Sequence, residues 1–139
     1  MSLTLHITDA PTPEQTAHVF EGLFAFNTAK FGEGNRQSIG VFLYDGDGQM
    51  QGGLTGMTGW GWLFTQWLYV PEAMRGQGLA RRLLHAAEEE ARQRGCHGAW
   101  IDTLNPDALR IYQHLGYTIF GEIPDYVAGF SRHYLQKKL

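Results

Sequence analysis

Apolar and polar residues alternate at the start of the chain: Leu3, Leu5 and Ile7 are separated by polar side chains, a period-two pattern that predicts a first strand. The pattern then changes. Thr12-Pro13-Glu14-Gln15 reads as a helix start, with Thr12 as N-cap, Pro13 at the first helical position and Gln15 closing a capping box. Ala17, Phe20 and Phe24 follow at helical spacing beside Leu23, and Phe31-Gly32-Glu33-Gly34-Asn35 ends the run. Ser38 to Tyr44 reads as a strand, Asp45-Gly46-Asp47-Gly48 as a hairpin turn, and Met50 to Thr58 as the return strand. Gly52, Gly53 and Gly56 in that return predict bulges or close backbone approach. Trp62 to Val70 is apolar enough for a central strand.

Leu79, Leu83, Ala87 and Ala91 recur every fourth residue, widened by Ala80 and Leu84, and Gly95 ends this second helix. Ala99 to Thr103 is a short strand. Asn105-Pro106 opens a third helix with Ala108, Ile111, Tyr112 and Leu115 on one face, and Gly116 stops it. Tyr117 to Ile123 and Ser131 to Leu135 close the chain as strands. The order is strand, helix, three strands, helix, strand, helix, strand, strand. It predicts a mixed α/β (α+β) fold in a single domain over residues 1–139, with a largely antiparallel central sheet of six to seven strands flanked by helices.

Composition narrows the function classes. The formal charge of -3 argues against nucleic-acid binding through global positive charge. Cys96 is the only cysteine, which excludes an internal disulfide and disfavours a thiolate zinc site; the histidines show no metal-ligand spacing, so no metal is expected. The opening M-S-L-T-L-H-I-T-D lacks the pattern of a signal peptide, and no apolar run approaches the ~20 residues of a membrane helix. A cytoplasmic protein without a membrane partner is the expectation.

Arg75-Gly76-Gln77-Gly78-Leu79-Ala80 carries the sharpest chemistry. A helix N-terminus exposes unpaired N–H groups, and glycines just before it let a ligand's phosphates approach the backbone. Arg75, Arg81 and Arg82 add three cations there, opposed only by Glu72. A guest with several phosphates fits. The Walker pattern G-x-x-x-x-G-K-[ST] is absent, and a dinucleotide fingerprint fails because Arg81 stands where a third glycine or alanine is needed.

The same letters match R-x-x-G-x-[GA]. Downstream, Asn105, Ala108, Ile111, Tyr112, Gly116 and Tyr117 match N-x-x-A-x-x-[LIF]-Y-x-x-x-G-[FY] in register. Together the two motifs resemble the GNAT family of N-acetyltransferases, over roughly residues 49–121. The resemblance implies acetyl-CoA as co-substrate, its pyrophosphate held at Arg75, Gly76, Gln77, Gly78, Leu79, Ala80 and Arg81. It also implies that the backbone of Leu68, Tyr69 and Val70 pairs with the pantetheine arm, with Asn105 beside that arm. Trp100 to Thr103 would be the neighbouring strand, splayed away to admit it. One departure is local: Glu72 replaces a usual proline, with Pro71 one place earlier.

Acetyl transfer to an amine needs a neutral amine, a polarised carbonyl and a leaving thiolate that receives a proton. Tyr112 matches the tyrosine that acts as general acid in much of the family; its spacing with Ala108, Ile111 and Leu115 equally suits a core residue. The stretch Leu63-Phe64-Thr65-Gln66-Trp67 lacks the glutamate that many relatives use as a base, which leaves Asp102 as the nearest candidate base or as a strand-end residue. Trp60 and Trp62 are expected in core packing or as a substrate-facing wall. The resemblance implies that Asp125 and Tyr126, expected on a loop before the last strand, help shape the acceptor pocket, and His133 is a further substrate-side candidate. Cys96 reads as buried packing.

The acceptor is expected to be a primary amine of a small molecule, peptide or protein. A homodimer through the final strand or a sheet edge is a further expectation. The alternative function is a coenzyme A-binding module without catalysis; an unrelated nucleotide-binding domain is a third.

Overall fold

The computed structural model describes all residues, Met1–Leu139. They form two units, Met1–Gly34 and Asn35–Leu139.

In the first unit, residues 1–8 adopt neither helix nor strand. The strand expected at Leu3, Leu5 and Ile7 is therefore absent, and these side chains are 86–99% exposed. Alternation gives a segment two faces but supplies no ladder partner, and a strand exists only where its backbone groups are paired. The first helix, α1 (Pro13–Phe31), starts as its letters require: the Thr12 hydroxyl accepts from the Gln15 N–H at 3.0 Å, and the Gln15 side chain accepts from the Thr12 N–H at 2.9 Å. Phe20 and Phe24 stack at 5.7 Å, and no α1 residue is buried.

The second unit runs β1 (Gln37–Tyr44), β2 (Met50–Gly59), β3 (Trp62–Tyr69), a 3-10 turn (Glu72–Met74), α2 (Leu79–Gln93), β4 (Gly98–Thr103), α3 (Pro106–His114), β5 (Thr118–Val127) and β6 (Phe130–Lys138). Its six-stranded sheet has the order β1-β2-β3-β4-β6-β5. Every pairing is antiparallel except β3 with β4, where α2 supplies the crossover that a parallel pair demands. Leu54, Leu63, Ala99 and Leu135 of the sheet are buried in one core with Leu83, Leu84, Ala87 and Ala91 of α2. The glycines of β2 do what their positions suggest. A Cβ at Gly56 would collide with the Phe64 carbonyl, beside a register shift between Thr55 and Gly56 that leaves Gln66 of β3 as the extra residue.

Two further features position the site. The parallel ladder runs only from Trp62–Gly98 to Thr65–Ile101. Beyond Thr65, β3 stays with β2 while β4 continues along β6 through Thr103. The centre of the sheet thus opens as a V whose apex is at Thr65 and Ile101. Second, Glu88 is buried although it stands in an acidic run, because its place four residues after Leu84 turns it inward. It accepts from the Tyr117 hydroxyl at 2.9 Å and from Lys137 Nζ at 2.7 Å.

Candidate active site

The site is built where β3 ends and α2 begins. Val70, Pro71 and the 3-10 turn reverse the chain, and Arg75 locks the reversal by donating from Nε to the Val70 carbonyl at 3.0 Å. Gly76 and Gly78 follow with φ of 81° and 74°, a left-handed conformation that costs a residue with a Cβ about 1–2 kcal/mol. A Cβ at either would meet no protein atom, so both backbones face open space.

Gly78 is also the N-cap of α2. Thr12 caps α1 and Asn105 caps α3 by accepting N–H bonds, but Gly78 has no side chain to do so. The first amides of α2 are left unsatisfied beside Arg81 and Arg82, with no acidic residue in the first turn. A chain that caps its other helices and leaves this one open has made an anion site of it.

The turn, the V and α3 enclose one cleft of about 510 Å³. Leu68, Tyr69, Val70, Arg75, Gly76, Gly78, Leu79, Ala80, Arg81, Asn105 and Tyr112 all line it; Gln77 does not. Met74, Asp107, Ala108 and Ile111 line it as well. Ala108 and Ile111 stood in the second motif and on the apolar face of α3 without an assigned role in binding, and nothing in the letters marked Met74. From Gln66 onward the edge of β3 that faces β4 has no strand bonded to it, so its backbone groups are free to bond a ligand lying in the V. An extended arm ending in a diphosphate, as in acetyl-CoA, suits this donor set: strand backbone first, then helix amides and arginines.

Tyr112 is 5% exposed and stands 6.2 Å from Tyr117, ring to ring. Burial, reinforced by the negative charge of Asp102, pushes its phenol up to about 12. The Tyr117 hydroxyl is raised too, by burial and by Glu88, and it is already bonded to that carboxylate. The Tyr112 hydroxyl makes no hydrogen bond to another protein group. It remains a protonated donor over the whole neutral range.

Asp102 does not line the cleft. Its carboxylate takes Arg132 Nε at 2.7 Å and ion-pairs with Nη2 of the same guanidinium, which also donates to the Tyr126 hydroxyl at 3.2 Å and lies over the Tyr126 and Tyr134 rings. Asp102 therefore acts on Tyr112 through its field. Asp125 and Tyr126 fall within β5, where its pairing with β6 breaks between Ile123 and Val127, and the Asp125 carboxylate accepts from the Gly129 N–H. His133 lies 3.9 Å from Glu122.

Trp60 and Gly61 form the β2–β3 turn with φ of 48° and 78°. This is the opposite end of β3 from Leu68, so Trp60 and Trp62 are no wall of the cleft: the strand alone separates them by roughly 20 Å. Cys96 is buried, and burial pushes its thiol up, opposed by Arg94. It is a packing residue.

The description "Acetyltransferase (GNAT) family" is that of a family model matching residues 3–117. Acetyltransferase Atu2258 of Agrobacterium fabrum is 46% identical over 132 residues, covering 95% of this chain and 96% of that protein. Blasticidin-S acetyltransferase of Streptomyces morookaense is 41% identical over 93 residues, 66% of this chain and 68% of that protein. The crystal structure of an acetyltransferase from Bacillus cereus superposes with a TM-score of 0.86 at 25% identity, covering 97% of this chain and 98% of that one. Matched by this family model over most of its length and by a relative at 46% identity across nearly the whole chain, the chain belongs to the GNAT family, acetyltransferases that use acetyl-CoA to acetylate amines.

Proposed function

We propose that this enzyme acetylates the primary amine of a small molecule in the V between β3 and β4, with Tyr112 as the hydrogen-bond donor to the leaving sulfur. Bound acetyl-CoA supplies an activated acyl group and a thiolate leaving group. The observation that carries the assignment of roles is the uncapped N-terminus of α2 opening into the same cleft as the unpaired edge of β3 and Tyr112.

The unpaired amides of α2 and Arg75 and Arg81 hold the diphosphate. The free N–H groups near Leu68 to Val70 align the arm and polarise the thioester carbonyl. Tyr112 then faces the sulfur. A phenol raised to about 12 does not hand its proton wholly to a thiolate whose acid has a pKa near ~8.5, so it stabilises the departing charge as a donor.

No carboxylate on β3 is available to take the amine's proton; Phe64 and Trp100 instead stack at 4.0 Å across β3 and β4. The attacking amine must lose its proton to water. For an alkyl amine of pKa ~10.4 this costs about 4–5 kcal/mol at neutral pH, and the cost falls for acceptors of lower pKa. Asp102 stays paired with Arg132 and holds Tyr112 protonated. A small acceptor is supported by the relative named for blasticidin-S.

The test is a free-thiol assay of acetyl-CoA against a panel of small amines graded in pKa, with peptides and a lysine-rich protein alongside. Turnover with at least one small amine, favouring acceptors of lower pKa, is expected. Turnover confined to peptide or protein amines would overturn the acceptor assignment.

A further inference from the structure

The N-terminal unit is an incomplete structure. Its helix has no buried residue, and Leu3, Leu5 and Ile7 alternate along a backbone with no ladder partner. The family model already matches from residue 3, so the segment is part of the shared domain and not an appended tail. Such an apolar surface is rare on a soluble monomer, and 34 residues are too few for a core of their own.

The second unit has a matching gap. β1 is an edge strand, bonded only to β2. Natural edges are blunted with charges, proline or bulges. The other edge strand is blunted in this way: β5 contains Pro124 and two register breaks. β1 reads Q-S-I-G-V-F-L-Y, without a charge or a proline, and its pairing with β2 is unbroken from Gln37 to Leu43. It is an open template for one more strand.

We infer that two copies of this chain exchange their N-terminal segments, Leu3 to Ile7 of each copy adding as a strand to the open β1 edge of the other, with α1 covering apolar surface beside it. The area suffices. At roughly 150–200 Å² for a large apolar side chain, the exposed fractions of Leu3, Leu5, Ile7, Val19, Leu23 and Phe26 amount to roughly 700–900 Å². A standard stable interface takes ~800 Å² from each partner. Exchange about a two-fold axis buries the same surface twice and leaves no open template. The joint suits it: Gly32 and Asn35, on either side of the boundary between the units, both have left-handed φ, at 85° and 53°.

Light scattering on the eluting full chain, with hydrogen exchange of the β1 amides read by NMR, tests this. A mass twice 15.6 kDa is expected, with the β1 amides that do not bond β2 protected. The double variant Leu5→Glu, Ile7→Glu should run as a single chain and lose that protection. Its fold is checked by stabilisation with acetyl-CoA, which reads the other unit. A monomeric wild-type chain overturns the inference. A dimer that persists in the double variant overturns it as well, since another surface would then hold the copies. Protected β1 amides that do not depend on concentration also overturn it, because a segment of the same chain would be covering the edge.

Discussion

Replacing Tyr112 by phenylalanine separates its two readings, core residue and hydrogen-bond donor. The ring is 5% exposed and stays in place in the variant. The hydroxyl has no protein partner, so its removal breaks no bond in the free enzyme, and stability should change by no more than about 0.5 kcal/mol. In the reaction the same hydroxyl faces a developing thiolate. A hydrogen bond to a charged group contributes about 1.5–3 kcal/mol, and its loss from the transition state slows the chemical step by roughly 10–150-fold. Single-turnover kinetics with an amine found active in the panel would measure this directly, since they remove product release from the rate. The acetyl-CoA dissociation constant should change little. The pH profile adds an independent arm. Because burial and Asp102 raise Tyr112 to about 12, its proton stays on through pH 10, and the rate should climb with the neutral fraction of the amine and show no descending limb there. An equal rate in the variant, or a descending limb near pH 10 that the variant abolishes, would refute this account of Tyr112.

Three other outcomes follow from the same geometry. Gly78→Ala places a Cβ in a left-handed position that faces open space; it should cost about 1 kcal/mol, a drop in Tm of roughly 3–5 °C, and weaken acetyl-CoA at least ~10-fold by calorimetry. Thr65→Val removes a hydroxyl that is buried without a partner, so denaturant titration should show a gain of about 1 kcal/mol. Stability should also fall at alkaline pH. Tyr112 and Tyr117 both have folded pKa values raised above the unfolded value near 10, so the unfolded chain releases their protons first. The contribution is intact below pH 10 and lost as pH rises toward 12, about 3 kcal/mol for Tyr112 alone, as urea titrations between pH 9 and pH 12 would report.

What was legible in the sequence is what depends on neighbours in the chain. The Thr12–Gln15 capping box, the Asn105 cap and the stops at Gly95 and Gly116 are local contracts between residues a few places apart, and each is present. The close approach at Gly56 was legible because only a missing side chain permits it. Long-range pairing was not. Leu3 to Ile7 alternate like a strand, yet no letter states which ladder would receive them. The sheet opens at Gln66, just past the last β3–β4 pair, and this bulged residue looks in the sequence like any other strand residue. Trp60 concealed a turn, because its left-handed backbone is a position that sequence patterns reserve for Asn or Gly. The Asp102 partner, Arg132, lies 30 residues away, so nothing near Asp102 in the sequence, where it read as a candidate base or a strand-end residue, announces the pairing of its carboxylate.

A crystal structure of the chain with acetyl-CoA tests the central claim most directly. Diphosphate oxygens about 2.7–3.2 Å from the amides that open α2, the arm along Leu68 to Val70 and the sulfur facing the Tyr112 hydroxyl are the predicted result. Diphosphate bound away from the Gly76–Arg81 turn, or an arm lying outside the V between β3 and β4, would contradict it.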